Sequence, residues 1–360
     1  MCLCRYQIER GWQKLHLFPT LRNYKKGNLG KDILAGLIIM AVSIPISMGY
    51  AQIAGLPAVY GLYGSVLPIL FFAVFSTSPQ FIFGVDAAPA ALVGSALLSM
   101  GIESGSEEAM RAIPVLTLFV ALWLFAFSYM KAGKLVNYIS APVMGGFITG
   151  ICTTIILMQI PKLFGGSAGV GEFFELAVHI GESLEKLNLP SLLLGLFALF
   201  ILLLFKKLIP KFPMAVLLMA AGACMTKFLP LKKWGVVTLS AVEPGLMPFA
   251  LPDISVIPVR EAVTISLSVA IVIMAETLLA ENSFAQKNGY RINDNQEIFA
   301  FAMGNLIAAL TGCCPINGSV SRTAMGEQYQ ARTQLTGIVA GISMLVLLLG
   351  GTGFIGYLPV

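Results

Sequence analysis

The stretch Cys314-Pro-Ile-Asn-Gly-Ser-Val-Ser-Arg322 interrupts an apolar sequence with turn formers, helix-starting serines and an arginine. Phe83-Gly-Val-Asp-Ala-Ala-Pro89 does the same earlier in the chain, with an aspartate as its charge. Gly and Pro break a helix, while Ser, Asn and Asp start one, so each stretch reads as a helix beginning inside an apolar region. A helix that starts at membrane depth aims free N–H groups and the positive end of its dipole at whatever occupies its mouth. Two such broken helices in corresponding halves of a repeated fold are the sequence pointer to a transporter's substrate site.

The surrounding composition supports that setting. The chain has 360 residues, 57% of them hydrophobic and only 11% charged, with a mean hydropathy of +0.84. Soluble domains run near 25% charged, so this composition implies an all-α polytopic membrane protein. Residues 1–31 lack the apolar core and small-residue cleavage site of a signal peptide. They carry Arg5, Arg10, Lys14, Arg22, Lys25, Lys26 and Lys31 against Glu9 alone, which by the positive-inside rule predicts a cytoplasmic N-terminus. The net charge of +5 therefore reports topology in a cell (plasma) membrane. Nucleic acid is excluded as a partner, because no basic–aromatic stripe lies on a soluble face.

The six cysteines, Cys2, Cys4, Cys152, Cys224, Cys313 and Cys314, show no paired CxxC spacing and read as buried thiols. His16 and His179 fall outside the apolar spans. No metal cluster, nucleotide loop or catalytic triad is present, so the reading is a non-enzyme without a cofactor beyond a coupling proton or sodium ion.

Apolar runs near the ~20 residues of a spanning helix predict segments at about 33–54, 57–75, 85–100, 112–130, 139–160, 190–206, 212–229, 261–280, 297–311, 318–327 and 333–350. Segments 3 and 10 are the short, broken ones. Lys131, Lys134, Lys206, Lys207, Lys211, Lys287 and Arg291 fall on inside connections, and the acidic Glu103, Glu107 and Glu108 fall outside. Lys162, Lys227, Lys232 and Lys233 run against this trend. Segments 3 and 10 lie seven apart, as in an inverted repeat of seven helices. The expected division is a basic cytoplasmic segment (1–31), a first repeat (32–230), an outer loop (231–260) and a second repeat (261–360) that stops short of segments 12–14.

Three ordered motifs carry a family likeness. Pro45-Ile-Ser-Met-Gly-Tyr-Ala-Gln-Ile-Ala-Gly-Leu-Pro-Ala-Val-Tyr-Gly-Leu-Tyr63 resembles the first-helix signature of the sulfate permease (SulP) anion transporters. Asn288-Gly-Tyr-Arg-Ile-Asn-Asp-Asn-Gln-Glu297 with Gly304-Asn305 is similar to that family's loop into segment 9. Pro315-Ile-Asn-Gly-Ser-Val-Ser-Arg-Thr-Ala324 with Ala331-Arg-Thr-Gln-Leu335 resembles its segment 10. The resemblance implies a seven-plus-seven inverted repeat divided into a core and a gate, an anion between half-helices 3 and 10, a homodimer, and a cytoplasmic STAS domain after segment 14. The chain stops before segments 12–14 and that domain, which reads as a truncation.

The resemblance also assigns candidate residues. Ser319, Val320 and Ser321 start half-helix 10 and can coordinate an oxyanion, or cap the helix in the ordinary way. Arg322 can supply a fixed positive field or pair with a carboxylate. Glu276 sits in an apolar segment 8, where relatives hold a coupling cation; a structural hydrogen bond is its alternative role. Tyr50 matches an aromatic lining the site, and Ile46 replaces a frequent glutamine. Asp86, before Ala87, departs from the family pattern: it places an acid in the mouth of half-helix 3. Pairing of Asp86 with Arg322 is the expectation, with protonation or cation ligation as alternatives. The resulting expectation is a secondary-active transporter of a small inorganic anion, sulfate first, then bicarbonate, chloride or a small carboxylate. The rival expectations are a nucleobase-type transporter of the same architecture, a passive anion channel and an inactive fragment.

Overall fold

The computed structural model describes residues 17–22, 24–136, 141–166, 169, 173–209 and 212–359. Cys2, Cys4, His16 and most of the basic N-terminal segment lie outside them. The chain begins with the long helix α1 (Leu29–Ile53), which keeps Pro45 in its interior. The predicted second segment is two helices, α2 (Val59–Tyr63) and α3 (Leu67–Phe75). Pro68 near the start of α3 cannot extend a helix from the preceding turn, because it has no N–H to donate. At the break, Ser65 donates to the Gly61 carbonyl at 3.0 Å and its hydroxyl lies 2.9 Å from that of Ser47.

A two-residue strand β1 (Phe83–Gly84) then leads into the half-helix α4 (Ala87–Ser99). Next come α5 (Glu107–Tyr129), the short α6 (Gly133–Val136) and α7 (Ala141–Leu163). The connection after α7 contains an unexpected helix, α8 (Phe173–Glu185), which turns by 118° into α9 (Leu189–Leu208). Its Phe173, Phe174, Val178 and Leu184 are exposed beside three glutamates, a pattern too polar to register as an apolar run. The chain continues through α10 (Met214–Phe228), and residues 231–258 follow as an extended stretch with two short 3-10 turns. Leu239 and Val242 of this stretch are buried against α1 and α14, so it is packed down on the bundle.

The second half repeats the pattern of the first. Helix α11 (Val259–Asn288) runs two turns beyond the predicted segment 8. Then follow α12 (Asp294–Leu310), the strand β2 (Asn317–Gly318), the half-helix α13 (Val320–Gln328) and α14 (Leu335–Gly350). The strands pair antiparallel, Phe83 with Gly318 and Gly84 with Asn317, so the two broken helices start from one backbone ribbon. Three stacked rings support it: Phe83 lies 4.7 Å from Phe72 and 5.4 Å from Phe301. Gly318 is a close-approach position, since a Cβ there would fall 2.2 Å from the Phe81 ring.

Buried polar side chains pin the loop before the ribbon. Gln334 donates to the carbonyls of Ser78 and Phe81 at 2.7 and 2.8 Å, and Gln80 donates to that of Ala331 at 2.7 Å. Asp32 in the first turn of α1 accepts from Arg332 N and from the Thr333 hydroxyl, both at 2.7 Å, capping the approach to α14. Helices α7 to α10 pack largely on one another, and α10 also packs against α1 and the 3-10 turn at Thr352–Tyr357. The outward faces of α9 and α10 remain apolar, with Leu193, Phe197, Phe200 and Leu217 exposed, which suits a lipid solvent. Of the helices, Lys26–Ile53, Glu107–Tyr129 and Val259–Asn288 are each long and apolar enough to cross a bilayer. Cys313 and Cys314 are buried as expected, whereas Cys224 is exposed on α10.

Candidate functional site

The two half-helix mouths differ in how their N–H groups are served. At α4, Asp86 is extended and its Oδ1 accepts from Ala87 N at 2.8 Å, while Pro89 contributes no N–H at all. This mouth is capped by its own acid. At α13, Ser319 occupies the cap position but its side chain makes no capping bond to a backbone N–H of the helix. Its hydroxyl lies 3.3 Å from that of Ser321, and its own N–H is spent on Ile82 O at 2.8 Å. The ordinary capping alternative for Ser319 is therefore not realised, and the first N–H groups of α13 stay open to a ligand.

Arg322 sits one turn inside this mouth with its side chain only 1% exposed. Its Nη2 donates to Val85 O at 2.6 Å and stands 3.7 Å from Asp86 Oδ2, an ion pair across the two half-helices. Its Nε and Nη1 have no hydrogen-bond partner. Gly84 makes room for the guanidinium, because a Cβ there would stand 3.0 Å from Nη1. Burying a cation with open donors is costly unless something anionic completes them.

Glu276 and Tyr50 complete the group. Glu276 Oε2 accepts from the Asn317 amide at 2.6 Å, and Thr277 bonds the same asparagine while accepting from Gly318 N at 3.1 Å. Helix α11 is thereby tied to the ribbon. Asn305 of α12 clamps the other side, accepting from Ile316 N at 2.9 Å and donating to Ile316 O at 3.1 Å. Tyr50 of α1 faces the cluster within electrostatic reach of Asp86, Arg322 and Glu276. Tyr50, Asp86, Glu276 and Arg322 thus gather in one place, with Ala87, Ser319, Val320 and Ser321 at the two mouths.

A cavity of about 370 Å³ opens beside Tyr50, lined by Pro45, Ile46 and Gly49 of α1, Gln159 and Lys162 of α7, and Leu239 and Pro359. It lies on the seam between α7–α10 and the remainder of the bundle. Lys162, a topological exception in the sequence, reaches toward Gly49, where a Cβ would stand 3.2 Å from its Nζ. Sequence reading missed this residue, whose only signal was a lysine at the wrong end of a span. Asn317 and Asn305 were also missed as site residues, although both stand inside the quoted motifs.

The sequence model described as the sulfate permease family matches residues 29–360. A probable sulfate transporter of Mycobacterium tuberculosis is 28% identical over 339 residues, which cover 94% of this chain and 60% of that protein. The chain spans 60% or less of the length of such curated relatives. Among solved structures, the murine Solute Carrier 26 family member A9 anion transporter in the inward-facing state superposes with a TM-score of 0.80 at 22% identity, over 98% of this chain and 63% of that one. The transmembrane domain of the cyanobacterium bicarbonate transporter BicA gives a TM-score of 0.77 at 18% identity, over 93% and 86%. These superpositions establish the inverted-repeat fold, and the family match together with the apolar helices gives a multi-pass membrane protein. With the match running through both broken helices and on to the end of the chain, this protein belongs to the sulfate permease family, a family of transporters rather than enzymes.

Proposed function

We propose that the chain moves a small inorganic anion across a membrane by secondary-active alternating access, with sulfate as the first substrate and bicarbonate, chloride or a small carboxylate next. The observation that carries this reading is Arg322: a buried guanidinium with Nε and Nη1 unpartnered, at the mouth of a half-helix left uncapped by Ser319. Two or three anion oxygens would complete those donors and the N–H groups of Val320 and Ser321, and the hydroxyls of Ser319 and Ser321 would add neutral contacts. A partial field of this kind binds an anion without trapping it. The open guanidinium donors of Arg322 also favour an anion over a neutral heterocycle. The family description and the relatives named as sulfate transporters support sulfate as the first choice.

The cavity on the seam supports alternating access, since rocking of α7–α10 against α1 would open it to one side and then the other. Glu276, bonded to the ribbon through Asn317, is the proposed carrier of the coupling proton or sodium ion. The basic residues of 1–31 support a cytoplasmic N-terminus in the plasma membrane, with repeats beginning near residues 32 and 261. The family likeness supports a homodimer as the assembled form.

The test is uptake by the full chain in proteoliposomes, with labelled sulfate, bicarbonate, chloride and uracil, at two pH values with and without sodium. Anion accumulation against its gradient, lost in Arg322→Ala, is expected. Uracil uptake would replace this reading with a nucleobase carrier, and equilibration without accumulation would replace it with a channel.

A further inference from the structure

Away from the half-helix mouths, three acidic side chains meet where α11 turns into α12. Glu281 of α11 is 0% exposed, and neither of its carboxyl oxygens has a hydrogen-bond partner. The charges that act on it, those of Glu297 and Asp294 on α12, are both acidic. Glu297 is equally buried but fully served. Its Oε2 accepts from the Ser76 hydroxyl at 2.8 Å, and its Oε1 accepts from Thr77 N, the Thr77 hydroxyl and Ser78 N.

Four donors directed at one carboxyl fit a carboxylate, which only accepts. Two carboxylates cannot face each other in that way, because neither has a hydrogen to give. A buried acid without a partner or counter-charge is neutralised instead. The groups around the pair supply no compensating cation among the described residues. On α11, Asn282 donates to Asp294 Oδ1 at 3.1 Å, and Lys287 is engaged by Glu327 of α13 at 2.7 Å. In the connecting loop, the Tyr290 hydroxyl lies 3.5 Å from that of Ser78. Beside α12, Ser128 and Gly133 bond to Asn295, while Lys131 and Lys134 are exposed.

We propose that Glu281 and Glu297 form a proton-binding site, in which Glu281 carries the proton and donates it to the Glu297 carboxylate. The site is distinct from Glu276, which lies five residues earlier on α11, about 7.5 Å along the helix axis. Its place in the fold gives the proton leverage. Glu297 holds Ser76, Thr77 and Ser78, the segment leading to β1 and so to half-helix α4. Removing the proton sets two carboxylates and Asp294 against one another and weakens that hold. Proton occupancy would thereby bias where the ribbon, and with it both half-helix mouths, sits against α11 and α12.

Infrared difference spectroscopy of the full chain in lipid nanodiscs at neutral pH tests this directly. A protonated carboxyl carbonyl component that shifts in heavy water is expected in the wild type, lost in Glu281→Gln and retained in Glu276→Gln. Should Glu281→Gln misfold, Glu281→Met keeps the volume without a proton and is expected to lose the same component. A wild type without that component, or a component that survives both substitutions, overturns the site. So does a component abolished by sodium chloride at constant ionic strength, which would make the pair a cation site.

Discussion

Arg322 is where the anion reading is most exposed to experiment. Hydrogen bonds to charged groups are worth about 1.5–3 kcal/mol, so Arg322→Ala should weaken anion binding about tenfold to a hundredfold in a protein that still folds. Arg322→Lys should recover only part of this, because lysine keeps the charge and loses the planar fork. Thermal-shift titration with sulfate measures both. Asp86→Asn keeps the oxygen that caps Ala87 while removing the like charge beside the bound anion. Calorimetric titration should show anion binding several-fold tighter; unchanged affinity would make Asp86 a structural partner of Arg322 only. For Glu276→Gln, uptake should lose its dependence on the driving ion while anion binding persists. Ion dependence equal to that of the wild type would remove Glu276 from coupling.

Among the elements, the ribbon of β1 and β2 is the most sensitive part. A Cβ at Gly318 would stand 2.2 Å from the Phe81 ring and 2.4 Å from Thr277 Cγ2. Gly318→Ala should therefore cost about 1–3 kcal/mol of overpacking, lower the melting temperature and abolish uptake. Gly353→Ala, at a site with nothing within 4 Å, serves as the neutral control. The half-helices were legible in the sequence to within a residue or two: 85–100 and 318–327 were expected, and Ala87–Ser99 and Val320–Gln328 are found. Their signals are local, since Asp86, Ser319 and Pro89 act within one turn. The break between α2 and α3 and the amphipathic α8 escaped notice, because apolar runs record neither a bend nor a polar-faced helix. The buried acids escaped for a different reason. Ser76 and Glu297 are 221 residues apart and Thr333 and Asp32 are 301 apart, so the sequence places neither acid beside the groups that serve it.

At the scale of the molecule, two bodies meet along the cavity lined by Ile46 and Gln159. In a cysteine-free background, joining Cys at these two positions with a bifunctional thiol reagent should stop uptake while each single variant stays active. Persistent uptake after complete cross-linking would exclude rocking along this seam. A bound anion should also stabilise the whole fold, by about 2.7 kcal/mol at a hundred times its Kd. The ribbon has a mechanical consequence for selectivity. Because paired backbone bonds hold the starts of α4 and α13 together, and such bonds are expensive to open without water, the gap between the two mouths behaves as a fixed gauge. Ligands would then be sorted by whether their length and charge spacing match a preset span, and exposure to either side would come from moving the walls around an unchanging gauge.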